Sequence, residues 1–153
     1  MEIRNAKKTD FKNILILVEK MVAYHRELDG YYKPFSKYQN LKVEAESWLK
    51  DKNTLVLVTE DESGLIGYGR FSVEKAPTYV SAKKIGVVDD IFIEPSYRKH
   101  GVAKEIFNQA LEWFKKKKVT NVELNVDARN TAGIEFWKKL GFFGYKMRMR
   151  IDL

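Results

Sequence analysis

The sequence contains no cysteine, and that absence removes several chemistries together. Without thiols there are no disulfides, no thiolate metal sites and no covalent acyl-cysteine intermediate, so any acyl transfer by this chain has to be direct. Histidine is almost as scarce, with 2 in 153 residues. His25 has no ligating partner at useful spacing, and no metal is expected. No apolar run approaches the roughly 20 residues that cross a bilayer, and the polar opening MEIRNAKKTD lacks a secretory hydrophobic region. The expectation is a cytoplasmic protein without a membrane partner. Repeats, low-complexity tracts and interdomain linkers are missing too, which leaves 1–153 as a single domain.

What the chain does have is positive charge: 28 Lys and Arg against 21 Asp and Glu give a formal net charge of +7. Long-range attraction then favours an anionic ligand or partner. The longest basic run, 115–118, falls at the end of a helix, where cations complement the dipole and are solvated. No zinc-finger, basic-zipper or RNP-type signature accompanies it. No nucleic-acid partner is expected, although a small basic nucleic-acid-binding domain remains an alternative reading on charge alone.

The order of elements is α/β. A short strand over 1–5 precedes a helix capped by Thr9, whose inner face is Phe11, Ile14, Leu15, Val18, Met21 and Val22. The stretch 24–38, with Gly30, Pro34 and four tyrosines, reads as irregular. Asn40 then opens a second helix turning Leu41, Ala45, Trp48 and Leu49 inward. Strands over 54–60 and 65–73 flank a turn at Asp61-Glu62-Ser63-Gly64. A strand over 121–126, a helix over 131–140 with Gly141 at its C′ position, and one or two closing strands over 142–151 complete the pattern.

The densest signal is 86–110, GVVDDIFIEPSYRKHGVAKEIFNQA. The strand Val87 to Ile93 is rich in β-branched and aromatic residues and is stopped by Pro95. From Ala103 the apolar residues Ile106, Phe107, Ala110, Leu111 and Phe114 recur at helical spacing. Between strand and helix sit Arg98, Lys99, His100, Gly101, Val102 and Ala103. The unpaired N–H groups of a helix start, two cations and a glycine without Cβ make a cradle for a phosphate. His100 reads equally as a solvated loop residue.

Arg98, Gly101 and Ala103 resemble the acetyl-CoA-binding loop of the GNAT N-acetyltransferase superfamily, Arg/Gln-x-x-Gly-x-Gly/Ala before a helix. The resemblance runs from Ile3, Arg4, Ala6 and Asp10 through this loop to Asn130 and the stretch Glu135-Phe136-Trp137-Lys138-Lys139-Leu140-Gly141-Phe142. It implies the GNAT fold, a central mixed twisted sheet of six to seven strands flanked by about four helices. It also implies acetyl-CoA as acyl donor and a homodimer. The main-chain N–H groups from Arg98 to Lys104 would hold the phosphates. Ile91, Phe92 and Ile93 would pair with the pantetheine arm as though it were a strand, with the Ile91 amide polarising the thioester carbonyl. Asn130 would lie on the cofactor side or cap the next helix, and Lys139 would reach the phosphates or stay solvated.

An amine arrives as ammonium and must lose a proton before it attacks. Asp89 and Asp90 are the acids placed for this. They resemble the Glu-Asp-Ile-Phe of polyamine and thialysine-type acetyltransferases, with Asp89 at the glutamate proposed there as base or amine anchor. Alternation puts the two on opposite faces of the strand unless a bulge intervenes. Asp89 is taken as the base, through a water relay given its short side chain, and Asp90 as a substrate contact. The competing reading makes both acids simple anchors of cation or backbone. Many relatives carry Tyr as general acid where this chain has Trp137, and an indole N–H is too weak an acid for that role. Trp137 is left to pack beside the thioester arm, with Tyr97 and Tyr145 as fallback acids. Tyr31 and Tyr32 would rim the acceptor cleft. The resulting expectation is an acyltransferase moving acetyl to a small-molecule or peptide amine, such as a polyamine, an amino acid or a protein amine. The alternative is a non-catalytic acyl-CoA sensor of the same fold.

Overall fold

A computed structural model describes residues 1–37 and 41–153. Tyr38 and the Asn40 helix cap expected from the sequence lie outside the described residues. Five strands form one sheet in the order β1-β2-β3-β4-β5: β1 Glu2–Asn5, β2 Thr54–Asp61, β3 Gly64–Lys75, β4 Lys84–Ile93 and β5 Val122–Leu124. Each neighbouring pair is antiparallel except β4 and β5, which run parallel. Four helices accompany them: α1 Phe11–Leu28, α2 Leu41–Trp48, α3 Val102–Lys116 and α4 Thr131–Lys139. This is the expected α/β class.

The two faces of the sheet are read off β2. Leu57 points to one core with Phe71, Val88 and Ile93, covered by Ile106, Phe107, Ala110 and Phe114 of α3. Its neighbours Val56 and Val58 point to the other core with Tyr68 and Phe92, covered by Ile14, Leu17, Val18 and Val22 of α1. The period of two along the strand and of three to four along the helices therefore separates the layers as the sequence requires. Contact with α3 is close at Gly69, where a Cβ would meet Ile106 Cγ2 at 2.7 Å. Any larger residue there would push the helix off the sheet.

The opening motif is explained structurally. Arg4 Nη1 donates to Asp10 Oδ2 at 2.7 Å and Arg4 Nε to Glu60 Oε1 at 2.7 Å, tying β1 to β2 and to the start of α1. Asp10 also accepts from the Lys7 N–H at 2.7 Å. Asp10, not Thr9, is thus the residue that opens α1, its carboxylate closing a short 3-10 turn over Lys8–Asp10 and making no hydrogen bond to the helix itself.

Three expectations are corrected. Helix α1 continues to Leu28, so the irregular stretch does not begin at Tyr24. Asp29, extended at φ −154°, ends the helix instead. Strand β5 is three residues long, not six, because the chain beyond Leu124 diverges from β4. Among the described residues no strand forms over 142–151, and the sheet has five strands, not six or seven. Gly141 does sit at C′: it donates to Lys138 O at 3.0 Å and Phe142 N donates to Trp137 O at 3.1 Å, the paired bonds of a Schellman stop. No helix among the described residues is long and apolar enough to cross a membrane.

Candidate active site

The site grows from one irregularity in β4. Along the β3–β4 ladder Phe71 pairs with Val88 and Arg70 with Asp90, so Asp89 is an extra residue bulged out of register. Before the bulge, β4 pairs with β5 through Gly86, Val87 and Val88. After it, β5 has left, and the edge of β4 from Asp89 to Ile93 has no strand beside it. Glu94 N donates to Ile66 O of β3 at 2.9 Å. By alternation, the N–H groups of Ile93 and Ile91 point the other way, into the gap between β4 and β5. Without the bulge they would face β3.

The same bulge turns Asp89 and Asp90 toward one cation. Arg70 Nε donates to Asp90 Oδ2 at 2.8 Å, and its Nη2 lies 3.9 Å from Asp89 Oδ1. The guanidinium is stacked 4.2 Å from the Trp48 ring of α2, which fixes its plane. Asp89 is the less satisfied acid. Its side chain is 16% exposed and its Oδ2 is buried with no hydrogen-bond partner. Burial pushes its carboxyl above the ordinary range, with Arg70 and Ser72 opposing. A carboxylate with a free, desolvated oxygen is disposed to take a proton.

At the end of β4 a 3-10 turn, Pro95–Tyr97, leads into the basic loop. Lys99 at φ 66° and Gly101 at φ 82° are both left-handed, and Gly101 is the N-cap of α3. This is a natural backbone for glycine, while the lysine is held there at a cost on the order of 1–2 kcal/mol. Successive N–H groups in such a turn converge on a concavity suited to an anion. His100, Gly101, Val102 and Glu105 line a shallow depression with Met1 and Ile3. The Val102 side chain is buried in the α3 core; Lys99, His100 and Lys104 are exposed, and Ala103 is half-buried. Arg98 bends back instead of pointing out: its Nε donates to Ile93 O at 2.8 Å, and its guanidinium lies 5.6 Å from the Tyr24 ring and 5.5 Å from the Phe92 ring.

Asn130 is the N-cap of α4. Its Oδ1 accepts from Gly133 N at 3.0 Å and from the Tyr24 hydroxyl at 3.1 Å. Tyr24 therefore touches both sides of the gap, Arg98 at the end of β4 and Asn130 beyond β5. Trp137 packs edge-on against Phe107 at 5.6 Å and Phe142 at 5.3 Å, and Lys139, two residues on and so on the opposite side of the helix, is exposed. The fallback acid Tyr145 is 65% exposed, and the Glu123 carboxylate pushes its phenol up, against proton release. Tyr97 is half-buried against the α3 core.

The tyrosine rim holds a second acidic cluster. Tyr32 donates to Asp127 Oδ2 at 2.9 Å. Arg129 links Asp127 at 3.0 Å and Asp29 at 2.6 Å. Arg150 adds a contact to Asp29 at 3.0 Å and lies 4.2 Å from the Tyr31 ring. Hydrogen bonds from Arg129 lower both carboxyls to about 2, and burial, then the Asp127 carboxylate, pushes the Tyr32 phenol up. His25, its ring 5.7 Å from Tyr32, belongs to this aromatic wall. No group of three or more His, Asp or Glu that could hold a metal occurs among the described residues.

Sequence reasoning brought Asp89, Asp90, Ile91 and the loop to one place but did not find Arg70, Tyr24, Asp127 or Arg129. The signal for Arg70 was the register of the β3–β4 hairpin, which sets it opposite Asp90. No local signal marks the other three, which long-range packing across the gap between β4 and β5 brings together.

Comparison with known proteins gives the same lineage. The chain is 28% identical over 145 residues to the uncharacterized N-acetyltransferase MJ1207 of Methanocaldococcus jannaschii, covering 92% of this chain and 59% of that relative's length. Its fold matches the tetramutant of BH1408 protein from Bacillus halodurans with a TM-score of 0.88 at 22% identity, over 100% of both chains. It also matches the aminoglycoside N-acetyltransferase AAC(6')-Iy, solved in complex with CoA, with a TM-score of 0.78 at 17% identity over 99% and 98% of the two chains. The profile of the acetyltransferase (GNAT) family matches residues 19–142, and the chain belongs to that family.

Proposed function

We propose that this chain is an acetyl-CoA-dependent N-acetyltransferase that moves acetyl directly to a primary amine, with the cytoplasm as its compartment. The observation that carries the reading is the bulge at Asp89. One backbone irregularity turns the Ile91 and Ile93 N–H groups into an open gap and sets a desolvated carboxyl beside them. The residues fit the cofactor: an unpaired strand edge suits an amide-bearing arm, and the left-handed loop at the start of α3 suits a pyrophosphate.

Acetyl-CoA, when bound, supplies the thioester carbonyl that a free amine attacks. The N–H groups of the loop from Lys99 to Lys104 hold the phosphates, with charge from Lys99 and Lys104 and His100 at the rim, while Arg98, turned back onto Ile93 O, ties the loop to the end of β4. Val102 and Ala103 anchor that turn to the core. Phe92 and Ile93 extend the edge along which the arm lies. The Ile91 N–H stabilises charge developing on the carbonyl oxygen, a contribution on the order of 3 kcal/mol for such donors. Asp89 takes the ammonium proton through water, Asp90 holds the cationic acceptor, and Tyr31 and Tyr32 form the rim over which it enters. The Asn130 amide nitrogen and Lys139 face the cofactor, and Trp137 backs the arm without donating a proton; as the C–N bond forms the C–S bond would break, with CoA leaving as a thiolate that takes its proton from water. The acceptor is a polyamine, an amino acid or a protein amine, and the working form is a pair of copies.

The test is thiol release from acetyl-CoA against polyamines, amino acids and basic peptides, with cofactor binding followed by calorimetry on the same sample. Turnover with one amine class establishes the activity and its acceptor together. Binding without turnover across the panel points to a sensor, and absence of binding overturns the reading.

A further inference from the structure

On the α1–α2 face of the β3–β4 hairpin two side-chain oxygens are buried without a hydrogen-bond partner, Asp89 Oδ2 and Ser72 Oγ. Strand register brings them together. Ser72 pairs with Val87, Phe71 with Val88 and Arg70 with Asp90, so the bulged Asp89 stands between Arg70 and Ser72 on the side of the sheet that carries Trp48. Arg70 serves the other oxygen, with Nη2 3.9 Å from Asp89 Oδ1. Ser72 is near enough to oppose the rise of the Asp89 carboxyl, yet neither Oγ nor Oδ2 completes a bond. A hydroxyl and a carboxylate oxygen buried side by side and unpaired each carry a desolvation cost. One turn of the serine side chain removes both.

We propose that Ser72 is a positioning residue for Asp89, its hydroxyl turning to donate to Oδ2 when that carboxylate is charged, so that the base waits ionised with one oxygen fixed. The inference rests on Asp89 as the base put forward above and names the residue that readies it. A hydroxyl donating to a carboxylate favours the charged form, which is the opposite of what burial does. Among the charged groups that act on Asp89, Arg70 favours the charge, while Asp90 and Glu74 oppose it. Helix α2 meets the cluster through the Trp48 ring on Arg70, and α1 through Met21, whose sulfur accepts at 3.5 Å from the hydroxyl of Tyr68, buried near Asp90. Arg70 is committed to Asp90 and to Oδ1, which leaves Ser72 as the donor for Oδ2. The proton's path needs no further reactant. The ammonium gives a proton to the relay water, the water gives one to the Asp89 carboxylate, and Ser72 keeps its own.

The experiment follows two readouts through pH on the full chain: kcat/KM for the amine, and the NMR signal of the Asp89 carboxyl carbon, identified by its loss in Asp89→Asn. The variants are Ser72→Ala and Ser72→Thr. Alanine takes one oxygen from a half-buried strand position, so circular dichroism and acetyl-CoA affinity should be unchanged. Ser72→Ala should move the carboxyl titration and the acidic limb of kcat/KM up together by about one pH unit, an about tenfold loss of rate on the limb with the plateau kept. Ser72→Thr keeps a hydroxyl and should restore both. A titration and limb that stay in place in Ser72→Ala overturn the proposal. So does a loss equal at every pH with the titration unmoved, which marks packing alone. If Asp89→Asn keeps the rate and profile of the parent, the reading of Asp89 as base falls by itself. The carbon signal then still decides the contact: a titration moved by Ser72→Ala upholds it, and an unmoved one overturns it.

Discussion

Two pairs of carboxylates, each bridged by an arginine, flank the site, and their surroundings push them in opposite directions. Asp89 and Asp90 share Arg70 inside the α1–α2 face of the sheet, where burial outweighs the cation and raises the Asp89 carboxyl. Asp29 and Asp127 share the exposed Arg129 at the rim, where hydrogen bonds outweigh burial and lower both to about 2. The core parts are the same, two acids bridged by a guanidinium, with Arg150 added on Asp29 at the rim. What differs is how many donors reach each oxygen. Asp127 accepts from the Arg129 side chain, the Arg129 N–H and Tyr32, whereas Asp89 Oδ2 accepts from nothing. The first cluster is therefore suited to move a proton and the second to stay charged and hold a shape.

The largest effect that would break this contrast comes from Asp89→Asn. With Asp89 as base, kcat/KM should fall by roughly 10²–10⁴-fold while acetyl-CoA affinity is unchanged. The acidic limb of the pH profile should disappear with it. An unchanged rate and profile would remove Asp89 from the chemistry. The stability sign is opposite to that of an ordinary ion pair. Folding raises this carboxyl, so its contribution is greatest below the ordinary 3.8 and is lost as pH climbs through the raised value. The variant should be no less stable than the parent at neutral pH, by thermal melting.

Arg70→Met ranks next. It leaves two acids side by side on one strand edge without their cation, and should cost on the order of 2–4 kcal/mol in denaturant unfolding. It should also move the acidic limb of kcat/KM to higher pH, because the group that opposes the rise of Asp89 is gone. Loss of stability with an unmoved limb would make Arg70 purely structural.

Much of this contrast was out of reach of the sequence, for reasons that lie in particular residues. β4 and α3 were legible because Ile106, Phe107, Ala110 and Phe114 keep helical spacing next to a β-branched run that Pro95 stops. The stop at Gly141 was legible for the same local reason. The end of α1 was placed too early, because the tyrosines and Gly30 suggested a loop while His25, Arg26 and Glu27 carry the helix to Leu28. Alternation alone sets Asp89 and Asp90 on opposite faces unless a bulge intervenes, and the bulge that brings both to one cation follows from cross-strand register, a long-range property. The alternation over 142–151 was read as a closing strand. Alternation specifies a strand's faces and says nothing about which chain supplies its partner.

Arg129→Gln tests the rim and should act mainly on the acceptor. Without its central cation the Asp29–Asp127 cluster loosens, and KM for the amine should change several-fold with kcat little affected, the signature of altered binding at constant chemistry. Its pH behaviour should mirror that of Asp89. Folding lowers Asp127 from the ordinary 3.8 to about 2, so the stability it contributes is present above 3.8 and is lost as pH falls toward 2. That acid-dependent loss should be smaller in the variant, because most of the lowering comes from Arg129. A parent and variant that melt together across this acid range would show that the rim contributes no linkage.

The smallest effect is expected from Tyr32→Phe. It removes one hydrogen bond to Asp127 at 2.9 Å and keeps the ring beside His25. Arg129 still holds the carboxylate, so no buried acceptor is left bare, and the cost should be about 0.5 kcal/mol in thermal or denaturant melts. The Asp127 carboxyl should rise only slightly, since Tyr32 contributes less to its lowering than either the Arg129 side chain or the Arg129 N–H. A loss of amine turnover comparable to that of Asp89→Asn would reverse the contrast. It would make the Tyr32 hydroxyl a participant in proton transfer and move the chemistry from the Arg70 cluster to the Arg129 cluster.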